Sequence, residues 1–182
     1  MIKLPSGVDI NELVDDLRTF SWEASEILLY YSKILKDSHY KSNIIRNDNE
    51  EDPVTLADLK VNELIIDRIN TKYNDVNWQI LSEENVKVAN KESHVNSDWV
   101  WVLDPLDGTK DFIQGTSNYA MHLALNYKQK PYMGIVLIPQ KNELWIANGE
   151  KVWCEGKNNN HITPSLIRKK NLEDMVIVTS KN

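Results

Sequence analysis

Residues 99–109 read Trp99-Val100-Trp101-Val102-Leu103-Asp104-Pro105-Leu106-Asp107-Gly108-Thr109. Five apolar residues come first, with no polar alternation, and such a run predicts a central strand covered on both faces. Asp104 and Asp107 follow directly. Pro105 lacks an N–H and is expected to end the strand's ladder. Gly108 permits a sharp turn, and Thr109 can open a helix. Carboxylates held together at the end of a buried strand are costly unless something positive sits between them.

A hard divalent cation with oxygen ligands answers that cost. Carboxylates without thiolates, and without a His pair at ligand spacing, favour magnesium. The Leu106 carbonyl in the turn is a natural extra ligand. The Gly108 and Thr109 amides, at a helix start, suit a phosphate oxygen. Metal on one side and amides on the other suit phosphoryl transfer to water. Taken alone, the Asp-x-x-Asp-Gly-Thr run reads equally well as an acidic surface turn. Two further segments shift the balance. Ser82-Glu83-Glu84 follows a short strand candidate, Trp78-Gln79-Ile80-Leu81, and adds a carboxylate. Asp52-Pro53-Val54-Thr55-Leu56-Ala57-Asp58 adds another at a helix start. Each alone reads as an acidic turn or a helix cap.

Outward from these motifs, residues 9–36 predict a long amphipathic helix, with Asp9 and Glu12 as a capping box. Leu13, Leu17, Phe20, Ala24, Ile27, Tyr31 and Ile34 recur at spacings of four and three and form its buried stripe. Residues 37–53 are polar and read as a loop. Thr55 and Asp58 repeat the capping-box pattern, and Val61, Leu64, Ile65, Arg68 and Ile69 continue a second helix. Residues 85–98 read as an exposed excursion. Strands are predicted over 119–127 and 131–138, joined by Lys128-Gln129-Lys130. Shorter strands, Glu143–Ala147 and Lys151–Cys154, flank the turn dipeptide Asn148-Gly149, and a last strand is expected over Met175–Thr179. Helices first and consecutive strands after them predict an α+β fold, with N-terminal helices on a mostly antiparallel sheet.

The 182 residues are 41% hydrophobic and 26% charged, a globular composition. The net charge of −6 argues against a nucleic-acid polymer or a membrane surface as partner. It leaves room for a small phosphorylated substrate, because bound cations invert the local sign. No window is apolar enough to span a membrane. The single cysteine, Cys154, rules out a disulfide within the chain, so a reducing cytoplasmic setting fits. It is expected to be a small buried residue. The Trp residues are expected to pack in the core, and His122, within a strand, is expected to be a packed or edge residue rather than a ligand. Lys110 reads either as a charge near the phosphate or as a solvated residue of the first helical turn.

The three acidic motifs, in this order, resemble the inositol monophosphatase superfamily. The resemblance runs from the N-terminal helix to the final strand and implies a sugar-phosphatase-like fold. Ser82 before the Glu pair, Leu106, and Lys110 after Thr109 resemble the branch of 3'(2'),5'-bisphosphate nucleotidases of the CysQ type. Asp111 departs from that branch, which more often has Glu there. The branch hydrolyses the 3'-phosphate of 3'-phosphoadenosine 5'-phosphate, a by-product of sulfate assimilation. The resemblance implies two or more Mg2+ ions. Glu83, Asp104 and the Leu106 carbonyl would bind one, and Asp104 and Asp107 would share a second. Asp58 and Thr109 would orient and deprotonate the attacking water, with Glu83 also in the catalytic set. Glu83 and Leu106 through Thr109, including Asp107 and Gly108, would contact the substrate phosphate.

The family also has a Trp-Asp motif and a second α/β domain, and neither is found in these residues. Residues 1–182 are therefore expected to form the N-terminal metal-binding domain, with the C-terminal substrate domain absent. Weak activity, and self-association through an uncovered interface, are expected for such a domain. The alternatives are an inositol monophosphatase-type sugar phosphatase and a non-catalytic domain that binds metal or phosphate.

Overall fold

The computed structural model describes residues 3–36, 41–47, 53–85, 96–149, 151–158 and 161–162. Helix α1 spans Ile10–Leu35, and its Asp9 cap accepts hydrogen bonds from the Asn11 and Glu12 amides. The predicted stripe holds through Leu13, Leu17, Phe20 and Ala24, then moves by one residue. Leu28, Ser32 and Leu35 are buried, while Ile27, Tyr31 and Ile34 lie half-covered at its border. Apolar residues occur on both sides of that boundary, so spacing alone did not select the inner set.

Part of the expected loop 37–53 is ordered structure. Lys41–Ile44 forms a helical turn, α2, and Ile45–Asn47 forms strand β1. β1 pairs antiparallel with Val54–Thr55, β2. Ile44 is buried and ties this polar stretch to the core. Helix α3, Leu56–Lys72, carries the predicted capping box: Thr55 and Asp58 exchange hydrogen bonds at its first turn. It buries Val61, Ile65 and Ile69, with Leu64 half-covered, but Arg68 turns outward to pair with Glu23 of α1 at 2.9 Å.

Among the described residues, seven strands form the main sheet in chain order: β3 Gln79–Ser82, β4 Trp99–Asp107, β5 Ala120–Tyr127, β6 Lys130–Ile138, β7 Glu143–Asn148, β8 Lys151–Glu155 and β9 His161–Ile162. All neighbours pair antiparallel except β3 and β4, which run parallel. The fold is α+β, as predicted. Alternate residues such as Met121, Leu123 and Leu125 of β5, and Met133, Ile135 and Leu137 of β6, face one core with α1 and α3. β4 is an interior strand next to the sheet's β3 edge. It is less covered than its apolar run suggested, since Val102 is 40% exposed. The β5–β6 turn places Lys128 and Gln129 at positive φ, a two-residue reversal without the usual Asn-Gly. β9 was not foreseen. The predicted strand 175–179 and most of the excursion 85–98 lie outside the described residues.

Pro105 does not end β4. The strand continues to Asp107, but its register slips: Asp104 faces His122, and Asp107 faces Ala120. Three steps on β4 match two on β5, which is a β-bulge. A proline that cannot donate to the ladder is accommodated there, and the bulge re-aims the side chains that follow it.

No helix among the described residues is long and apolar enough to cross a membrane. Cys154 is buried, as expected.

Candidate active site

Strand pairing brings the first carboxylates together. Ser82 of β3 lies opposite Leu103 of β4 in parallel register, so Glu83, just past the end of β3, comes beside Asp104, which is still within β4. Ser82 Oγ donates to Asn62 Oδ1 of α3, and Asn62 Nδ2 donates to Asn85 Oδ1 at 3.2 Å. These bonds fix the peptide that carries Glu83. Nothing in the spacing pointed to Asn62, an amide on the polar side of a helix.

Asp104 Oδ1 accepts from the Leu106 amide at 3.1 Å. Its carboxyl is pushed up to about 7, first by burial, then by the charge and hydrogen bond of Glu83 and the charge of Asp107. Asp107, beyond the bulge, is exposed. Among the described residues, no three His, Cys, Asp or Glu side chains are gathered around one point. The donor set itself is made of oxygens, with Glu83 and Asp107 raising the Asp104 carboxyl. That chemistry fits a hard divalent ion.

The second cluster joins α3 to the turn after β4. Asp58 is 2% exposed. Its Oδ2 accepts from the Thr55 amide at 2.8 Å and from the Thr55 hydroxyl. Its Oδ1 lies 3.2 Å from Thr109 Oγ1, which also lies 2.9 Å from the Leu106 carbonyl oxygen. Burial raises the Asp58 carboxyl, and the hydrogen bonds from Thr55 and Thr109 oppose that rise. The capping box read from sequence thus holds a carboxylate in place for Thr109.

Gly108 makes the turn possible. Its φ is +85°, and a Cβ there would stand 2.6 Å from the Asn118 carbonyl oxygen, so any side chain collides with backbone. Thr109 opens α4, Thr109–Gln114, whose Phe112 is buried against Tyr119, ring centroids 4.8 Å apart. Asp111 accepts from the Thr116 hydroxyl at 2.6 Å and so closes this short helix. Lys110 is exposed.

His122 is half-buried and is not on an edge strand. It sits on interior strand β5 with its side chain 44% exposed, and its Nε2 is 3.9 Å from Asp107 Oδ2. Only the β4–β5 register reveals this, because the sequence separates His122 from every acidic motif.

Every sequence-predicted site residue lies at one end of β4 or at the two chain segments beside it. Glu83, Asp104 and Asp107 interact electrostatically, and Asp58 touches Thr109. The profile of the Inositol monophosphatase family matches residues 10–182. The chain is 37% identical over 119 residues to "Bifunctional phosphatase IMPL2, chloroplastic" of Arabidopsis thaliana, a match covering 65% of the chain and 33% of the relative. It is 35% identical over 106 residues to "3'(2'),5'-bisphosphate nucleotidase CysQ" of Escherichia coli K12, covering 58% of the chain and 42% of the relative. A solved staphylococcal IMPase-I, complexed with products, superposes with a TM-score of 0.62 at 19% identity, over 81% of the chain and 51% of that structure. The matches thus span a third to about half of these relatives' lengths. With the acidic motifs placed at one strand end and the family profile covering nearly the whole sequence, the chain belongs to the inositol monophosphatase family.

Proposed function

We propose that this chain carries the metal-binding half of a Mg2+-dependent phosphomonoesterase, and that the protein hydrolyses the 3'-phosphate of 3'-phosphoadenosine 5'-phosphate to AMP and phosphate in the cytosol. The observation that carries the reading is the parallel β3–β4 register that sets Glu83 beside Asp104, with Asp107 across the bulge. In this reading Glu83, Asp104, Asp107 and the Leu106 carbonyl would hold Mg2+, two ions or more. Bound there, the metal would supply an activated water and neutralise charge on the phosphate. Asp58 and Thr109 would accept and orient the proton of that water through their shared contact. The amides of Gly108 and Thr109 would face the phosphate oxygens.

The nucleotidase branch is favoured by Ser82, Leu106 and Lys110 and by the similarity to CysQ. The same reading makes residues 1–182 one domain of a two-domain enzyme, with the nucleoside contacted from the other domain. The test is phosphate release with Mg2+ from 3'-phosphoadenosine 5'-phosphate, inositol monophosphate and fructose 1,6-bisphosphate, offered separately. Preference for the nucleotide is expected. Faster release from either sugar phosphate would replace the branch assignment with a sugar phosphatase, and no release from any would leave a binding domain.

A further inference from the structure

His122 lies directly opposite Asp104 in the β4–β5 ladder, and the bulge sets Asp107 opposite Ala120, two residues along the same face. Across its other side, His122 faces the apolar Val136 of β6. Its Nε2 stands 3.9 Å from Asp107 Oδ2, and the two side chains are 44% and 60% exposed. That separation is too long for a hydrogen bond. Two donors each about 2.1 Å from one ion lie about 3 to 4 Å apart, depending on the angle between them. The pair therefore already stands at the spacing of two ligands that share a cation, and both are open to solvent.

We propose that His122 is a nitrogen donor to the divalent ion held at Asp107, and that it shifts the preference of that position from Mg2+ toward Mn2+ or Zn2+. This rests on the reading of Asp107 as a metal ligand. Mg2+ favours an all-oxygen shell and keeps its waters, whereas imidazole suits the later transition metals. A mixed nitrogen and oxygen position thus ranks ions differently from the carboxylate position made by Glu83 and Asp104.

The experiment is calorimetric titration of the 182-residue chain with Mg2+, Mn2+ and Zn2+ separately, repeated for His122→Asn, His122→Phe and Asp107→Asn. Circular dichroism checks that each variant is folded. Both His122 variants are expected to lose at least the roughly tenfold in Zn2+ and Mn2+ affinity that even an outer-shell partner costs, with Mg2+ binding unchanged. Equal losses for all three ions would overturn the proposal, since His122 would then only steer Asp107. No loss for any ion would also overturn it. If Asp107→Asn weakens binding while the His122 variants do not, this inference alone fails. If Asp107→Asn changes nothing, or the unaltered chain binds no ion, the metal reading fails with it.

Discussion

Thr109 Oγ1 stands 3.2 Å from Asp58 Oδ1, although 51 residues separate them in the chain. The other oxygen of Asp58 is fully engaged by Thr55, so the carboxylate has one free direction, and Thr109 fills it. Two residues coupled in this way act as a unit. Asp58→Asn and Thr109→Ala are each expected to lower phosphate release by about 10²- to 10⁴-fold, the range of general acid–base catalysis. The double variant should be little worse than the poorer single variant. Steady-state kcat/KM for the three proteins checks this; multiplicative losses would mean independent roles.

Asp104 gives a pH dependence with a defined sign. Its folded carboxyl is raised to about 7, above the ordinary range for Asp, by burial and by Glu83 and Asp107. Between that range and pH 7 the folded state holds more protons than the unfolded chain, so stability falls as pH rises through this window. In the presence of chelator, the Tm should drop from pH 5 to pH 7.5. Asp104→Asn should flatten the drop and raise the Tm at the upper end. Added Mg2+ should also flatten it for the unaltered chain, because a bound cation favours the charged form.

Gly108 and Gly115 form a contrast. Both have positive φ, but a Cβ at Gly108 meets backbone at 2.6 Å, whereas at Gly115 it meets nothing within 4 Å. Gly115→Ala is expected to cost about 1 kcal/mol from φ alone. Gly108→Ala should cost more and should also displace Thr109 from Asp58, reducing activity. Chemical denaturation of both variants measures the difference; equal costs would contradict the collision.

Arg18 of α1 reaches Glu155 at the end of β8, where the carboxylate side chain is only 2% exposed. Nη2 and Oε2 lie 3.3 Å apart, with a second contact from Nε. Arg18→Met would leave that carboxylate buried and unpaired, at a cost of about 3–5 kcal/mol. Arg18→Met combined with Glu155→Leu should recover much of the loss. Urea unfolding of the single and double variants decides this.

Local patterns carried much of the architecture. The α1 cap at Asp9, the capping box of Thr55 and Asp58, and the apolar run 99–103 are each written within a few residues, where periodicity and hydrogen-bonding chemistry act directly. The carboxylates of the site were also legible, because they sit in short motifs at strand and helix ends. Long-range register was not. The approach of His122 to Asp107 depends on which residue of β5 meets Asp104, and no local signal sets that pairing. The bulge at Pro105 belongs here too: the missing donor was visible, but the sequence did not say that the strand would continue past it. Asn62 was missed because a polar residue on a half-buried helix position carries no mark of its partner, Ser82. The shift in the α1 stripe after Ala24 was not legible because the inner row, Leu28, Ser32 and Leu35, includes a polar residue.

Glu83, Asp104 and Asp107 are proposed to form a site for a divalent cation. The decisive experiment is titration of the 182-residue chain with Mg2+ beside the same titration of Asp104→Asn. Saturable binding by the unaltered chain, lost or severely weakened in the variant, is expected. Undiminished Mg2+ binding by Asp104→Asn, or none by either protein, would rule the site out.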